Sequence, residues 1–244
     1  HIVVPKMWSH EKSYFFQGND GRIIFAIPYE TDFTLIGTTD IDHLDLNEKP
    51  KCTELEKNYL INFANQYFDP ELKVEDIVWT YSGVRPLQDT SEDNATAVTR
   101  DYSIKVNQED GVPLINVFGG KITTYRKLAE NVMDEVGLFL PKTRGPWTDK
   151  AHLPGGDFAV DGLSELISDL LTAFPFLNAK WAMRLVKAYG NEAFEMLGSV
   201  RNEEELGINF GATLTQKEVE WLLKEEFATS AEDILWRRSK LGLR

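Results

Sequence analysis

Four basic side chains and one glycine pair are the residues of this sequence best suited to chemistry: Arg85, Arg100, Lys121 and His1, with Gly119-Gly120 directly before the lysine. A guanidinium keeps its charge at neutral pH and can bond two oxygens of an oxyanion in parallel. Two of them on separate strands can clamp an anionic ligand from two sides, or each can pair with one of the 39 acidic residues. At Phe118-Gly119-Gly120-Lys121-Ile122-Thr123-Thr124 an apolar strand turns through two glycines into a helical pattern. Without a Cβ the backbone can be approached closely. The first helical N–H groups point outward, where the dipole favours negative charge. The same turn also serves as a plain connection in many chains. Lys121 adds a cation at the mouth of that turn, and a neutral imidazole such as His1 can accept a proton, although a lone histidine is in most chains an ordinary surface or core residue.

The elements that must hold these residues follow from periodicity. Apolar and aromatic runs over 2–4, 14–16, 22–28 and 33–36, separated by turn residues, predict antiparallel strands. Gly37-Thr38-Thr39-Asp40 ends the fourth run in small polar residues and reads as a loop with a side-chain cap, with direct substrate contact the alternative. A helix is predicted over 51–68, a strand over 77–81 leading through Ser82-Gly83 to Arg85, and a strand over 97–99 presenting Arg100. Runs 103–106 and 114–118 predict a hairpin, and Leu128, Val132, Val136 and Phe139 predict a helix over 123–140. Beyond 142 the pattern turns helical. Thr215-Gln216-Lys217-Glu218 fits a capping box, and 230–233 offers a second cap. The fold class expected is therefore α+β: an antiparallel β-sheet domain over 1–148 and a separate all-α domain over 149–244.

Composition narrows the function. With 42% hydrophobic residues in 244, the chain can bury a core. A net charge of −13 argues against a general nucleic-acid binder, which needs a basic face. Cys52 is the only cysteine, so no disulfide framework is available, and His10, His43 and His152 show no metal-ligand spacing; no metal is expected. No apolar run is long enough to cross a bilayer. No Gly-x-Gly-x-x-Gly occurs, so a dinucleotide-gripping half is not expected in this stretch.

Ile77-Val78-Trp79-Thr80-Tyr81-Ser82-Gly83-Val84-Arg85-Pro86-Leu87, Thr99-Arg100-Asp101-Tyr102 and the 118–127 turn stand in the order found in FAD-dependent glycerol-3-phosphate dehydrogenases. His1-Ile2-Val3-Val4-Pro5 and Ile36-Gly37-Thr38-Thr39-Asp40 resemble the same family upstream. The resemblance implies the C-terminal part of such an enzyme, inactive alone, with an incomplete FAD site. It implies Arg85 and Arg100 on the substrate phosphate, His1 or Lys121 as base, and Gly119, Gly120, Lys121, Ile122, Thr123 and Thr124 facing the flavin. Oxidation of glycerol 3-phosphate, with electrons passed to a quinone from the inner face of the cytoplasmic membrane, would follow. It leaves open a homodimer, an oxygen-using oxidase, and a non-catalytic assembly module.

Overall fold

The computed structural model describes residues 1–43, 45, 47–69, 71–85, 101–109, 111–141 and 144–244, which form two compact units, His1–Pro146 and Trp147–Arg244. In the first, β1 (Ile2–Pro5), β2 (Tyr14–Gln17), β3 (Ile23–Tyr29), β4 (Phe33–Gly37) and β5 (Trp79–Thr80) make one antiparallel sheet in the order β2-β3-β4-β1-β5. β1 carries an unbroken apolar run, and Ile2, Val3 and Val4 are all fully buried because it lies inside the sheet. The helix α1 (Glu54–Ala64) covers one face, packing Leu60, Ile61, Phe63 and Ala64 on Ile2, Val4, Ile24, Ala26 and Ile36. Each large aliphatic side chain buried there contributes about 1.5–3 kcal/mol.

The strands expected within the described residues form, but the helix expected over 51–68 is shorter. Thr53 caps it, with a reciprocal bond between Thr53 and Glu56, and past Asn65 the helix gives way to a turn in which Gln66 N and Tyr67 N bond three residues back. The strand expected over 77–81 is reduced to the two residues of β5, with Trp79 and Thr80 opposite Val3 and Ile2, while Val78 N and Tyr81 N carry backbone bonds on to Val3 O and His1 O. A second sheet, β6 (Ser103–Glu109) with β7 (Val112–Phe118), is the predicted hairpin, longer than expected. After it come one 3-10 turn, Ile122–Thr124, and α2 (Tyr125–Val136). The helix expected over 123–140 thus starts later and stops at Gly137. Its apolar stripe has no fully buried residue.

In the second unit, α3 (Leu163–Ala173), α4 (Ala179–Tyr189), α5 (Glu192–Leu197) and α6 (Gln216–Lys224) surround a core that includes Leu170, Trp181, Leu185, Met196, Leu206 and Leu222. Two expectations are corrected here. The unit is not all-α: β8 (Asn209–Gly211) pairs with β9 (Leu214–Thr215), because Ala212 and Thr213 both take positive φ and close a tight hairpin. Nor does the Thr215–Glu218 capping box form. Glu218, 1% exposed, is instead held by Arg184 through two bonds of 2.7 Å and by the Tyr189 hydroxyl at 2.7 Å. A buried carboxylate binds a guanidinium more strongly than it binds a helix-end N–H. The 230–233 cap does form: Asp233 N donates to Ser230 Oγ, and Asp233 Oδ2 accepts from Ser230 N. An open apolar groove of about 400 Å³ runs between the hairpin and the terminal helical turns, lined by Phe210, Leu214, Ile234 and Leu241. It belongs wholly to this unit, which carries none of the candidate site residues.

Candidate functional site

β1 runs antiparallel to both β4 and β5, so its first residue and the exits of β4 and β5 meet at one end of the sheet. This topology sets His1, the segment 37–40 and the segment 81–85 side by side. The His1 main-chain nitrogen donates to Tyr81 O at 3.1 Å, and its imidazole stacks on the Tyr81 ring with centroids 4.8 Å apart and planes 5° from parallel. Gly37 lies beneath the imidazole. A Cβ built there would stand 2.4 Å from His1 Cδ2, so only glycine leaves the ring its place. Burial pushes the Tyr81 phenol up, which keeps it a neutral stacking partner at physiological pH.

Three residues beyond Gly37, Asp40 reaches Arg85, with Arg85 Nη1 at 3.0 Å from Oδ1 and 3.1 Å from Oδ2. Both readings of Arg85 are therefore compatible. It is ion-paired, yet among the described residues its contacts run through Nη1, leaving Nε and Nη2 for an incoming oxyanion. Its side chain is 39% exposed, so a ligand can reach it. Arg100, with the strand expected over 97–99, lies outside the described residues.

The glycine turn is built on the second sheet. Gly119 and Gly120 take φ of +74° and +100°, and a Cβ on Gly119 would stand 2.8 Å from Asp101 O, so the turn folds tightly over the chain at 101–102. Lys121 Nζ stands 3.9 Å from Asp101 Oδ1, a loose surface pair. The Thr124 hydroxyl donates to Lys121 O at 2.9 Å and steadies the turn. The N–H groups of Ile122 and Thr123 head the helical segment, where no intrahelical acceptor exists. Ile122 is 88% exposed. Among the described residues no hydrogen bond or ion pair joins Lys121 to His1 or Arg85. The structure thus unites His1 with Arg85 through 37–40 and leaves the Lys121 turn as a second cluster.

Sequence reasoning assigned no role to Tyr81 or Asp40. Tyr81 stands at the end of the strand expected over 77–81. Asp40, at the end of Gly37-Thr38-Thr39-Asp40, read as part of a capped loop, and only the pairing of β1 with both neighbours brings it to Arg85.

The family profile described as FAD dependent oxidoreductase matches residues 1–126, and one described as the C-terminal domain of alpha-glycerophosphate oxidase matches 146–244. The chain belongs to the FAD-dependent oxidoreductase family. A glycerol-3-phosphate dehydrogenase of Pseudomonas aeruginosa is 42% identical over 244 residues, covering 100% of this chain and 48% of the relative. The aerobic glycerol-3-phosphate dehydrogenase of Escherichia coli is 40% identical over 245 residues, again 100% and 48%. D-erythritol 1-phosphate dehydrogenase of Brucella abortus is 42% identical over 240 residues, covering 98% and 48%. The solved glycerol-3-phosphate dehydrogenase of Bacillus halodurans, complexed with FAD, superposes with a TM-score of 0.74 at 26% identity over 98% of this chain and 46% of that one. The chain spans about half the length of the curated relatives it matches.

FAD is the cofactor of this oxidoreductase family, and the glycine turn fits it. Two glycines with positive φ lead to an exposed helix head whose unpaired N–H groups suit an electron-rich ring edge.

Proposed function

We propose that the protein containing this chain oxidises sn-glycerol 3-phosphate to dihydroxyacetone phosphate. The supporting observation is the segment 37–40, which holds a candidate base, His1, and a candidate phosphate ligand, Arg85, on one short piece of chain. In this reading residues 1–148 form the substrate-binding sheet with the flavin-facing turn, and 149–244 a helical domain. Arg85 and Arg100 hold the phosphate and fix which carbon faces the ring. His1 removes the C2 hydroxyl proton, with its imidazole kept in one orientation by Tyr81 and Gly37; Lys121 orients that hydroxyl or shares the proton. FAD, when bound, takes the hydrogen and electron pair from C2. The N–H groups of Ile122 and Thr123, behind Gly119 and Gly120, favour the negative charge that this leaves on the ring edge, and Thr124 braces the turn.

Electrons then pass to a quinone, from an enzyme resting on the inner face of the cytoplasmic membrane as a homodimer. Among the described residues no helix is long and apolar enough to cross a membrane. An oxygen-using oxidase is separated by peroxide release. A second substrate is favoured by the Brucella abortus relative, which is named for D-erythritol 1-phosphate at equal identity. Both compounds offer a phosphate monoester beside a secondary alcohol, and their kcat/KM ratio decides between them.

The test of this reading is Arg85→Ala in the FAD-loaded enzyme. One charge-assisted hydrogen bond contributes about 1.5–3 kcal/mol, so KM for glycerol 3-phosphate rises roughly 10- to 150-fold. An unchanged KM removes Arg85 from the phosphate site.

A further inference from the structure

Glu56 stands at the third position of α1 and divides its two carboxylate oxygens between two jobs. Oε2 completes the helix cap, accepting from Thr53 N and Thr53 Oγ1, both at 2.8 Å. A capping box is complete with that. Oε1 is therefore free for the loop, and it accepts the Thr39 hydroxyl at 2.6 Å, a short charge-assisted bond across 17 residues of sequence. Burial pushes the Glu56 carboxyl up, but the bonds from Thr39 and Thr53 together outweigh it and hold the group below the usual range, so it is ionised at neutral pH.

Thr39 lies between the two contacts that matter at this end of the sheet. Gly37 bears the His1 ring on one side, and Asp40 bears Arg85 on the other. Among the described residues the remaining side chain of the segment, Thr38, bonds within it, through its hydroxyl to Thr39 O at 2.9 Å. Gly37 is held in β4 opposite Phe25; beyond it the tether to Glu56 joins Thr39 to a second rigid element, since α1 is itself packed on the sheet through Leu60, Ile61 and Phe63.

We infer that Glu56 and Thr39 are positioning residues, in which the α1 capping carboxylate fixes segment 37–40 and so sets the spacing between His1 and Arg85. The inference rests on the roles proposed above for His1 and Arg85. Neither Glu56 nor Thr39 touches substrate in it; both act through the residues they hold. Proton removal and phosphate binding depend on the same segment, so releasing it weakens both together, whereas a change at Arg85 moves chiefly KM.

The experiment is Thr39→Val in the FAD-loaded enzyme. Valine keeps the shape, removes the hydroxyl, and leaves the Thr53–Glu56 cap intact. The expected result is a roughly 10- to 100-fold fall in kcat/KM for glycerol 3-phosphate, shared between a lower kcat and a higher KM, because a shift of about 1 Å at a reacting group costs on that order. Thr39→Ser, which retains the hydroxyl, restores kcat/KM to within about threefold of wild type, close to the scatter expected of a conservative change. Glu56→Ala breaks the same tether from the helix side. Adding Thr39→Val to it lowers kcat/KM no further, since the two share one bond.

If Thr39→Val keeps wild-type kcat and KM while Arg85→Ala raises KM, the tether has no positioning role and the inference is overturned with the site reading intact. If neither variant changes either constant, the roles given to the site fail and the inference falls with them. Equal loss in Thr39→Val and Thr39→Ser also overturns it, because the hydroxyl would then not be the agent. Should Thr39→Val not fold, the Glu56→Ala arm carries the same test.

Discussion

Replacing Gly37 by alanine puts a methyl group 2.4 Å from His1 Cδ2, 2.8 Å from Cγ and 3.0 Å from Nε2. Carbon atoms in contact settle at about 3.5–4.0 Å, so the imidazole must retreat by roughly 1 Å or more. It cannot do so without leaving the near-parallel stack on Tyr81, in which the planes differ by 5°. A misplacement of that size at a reacting group costs about 100-fold in rate. The Asp40–Arg85 pair begins three residues further on and is half-exposed, so phosphate binding is expected to survive. Gly37→Ala therefore lowers the anaerobic rate of flavin reduction by glycerol 3-phosphate about 100-fold, while the concentration dependence shifts by less than about threefold. Stopped-flow absorbance of the flavin reads both. His1→Ala supplies the control: combined with Gly37→Ala it is no slower than His1→Ala alone, because the glycine acts only through the ring. A Gly37→Ala enzyme with wild-type rates would refute the claim that Gly37 exists to seat His1.

The remaining predictions concern the scaffold. Arg184→Met leaves Glu218 buried with only the Tyr189 hydroxyl, which costs about 3–5 kcal/mol, and hydrogen exchange in α4 and α6 speeds accordingly; Arg184→Met with Glu218→Leu recovers most of the loss. Unaltered exchange in the single variant would contradict this. Asp233 accepts from Thr229 N and from both Ser230 donors, and these bonds hold its carboxyl well below the ordinary carboxylate value. Its folded pKa lies below the unfolded one, so the stabilisation is fully present above about pH 4 and is lost as pH falls further. Exchange protection over 229–238 should drop in acid, and Asp233→Asn should remove that pH dependence. Thr53→Ala, which deletes the α1 cap, destabilises the first unit by about 0.5–2 kcal/mol in chemical unfolding.

Much of this architecture was readable in the residues. Short apolar runs between turn residues mark the strands, and the turn at Gly119-Gly120 leads into a helix. Chain order did not reveal that β1 lies between β4 and β5, because pairing partners depend on which edges meet in three dimensions rather than on local pattern. That one fact assembles the site: it brings Asp40 to Arg85 and Gly37 to His1. The Thr215 capping box failed for a similar reason. Its glutamate meets every local rule for a cap, yet Arg184, 34 residues earlier, offers a stronger partner once both are buried. A lone arginine on a helix reads as solvated, and nothing around Arg184 in sequence marks it otherwise. Thr53 and Glu56 have capping-box spacing, which the helix expected from residue 51 did not use, and the second use of that carboxylate, on Thr39, is visible only in the fold.

The central claim is that this oxidoreductase removes hydrogen from a phosphorylated polyol held by its phosphate. Anaerobic mixing of the FAD-loaded enzyme with glycerol 3-phosphate, beside glycerol as control, tests it most directly. The account predicts bleaching of the flavin by the phosphate ester and none by glycerol on the same timescale. Equal bleaching by both would contradict the phosphate site, and no bleaching by either would contradict the oxidation itself.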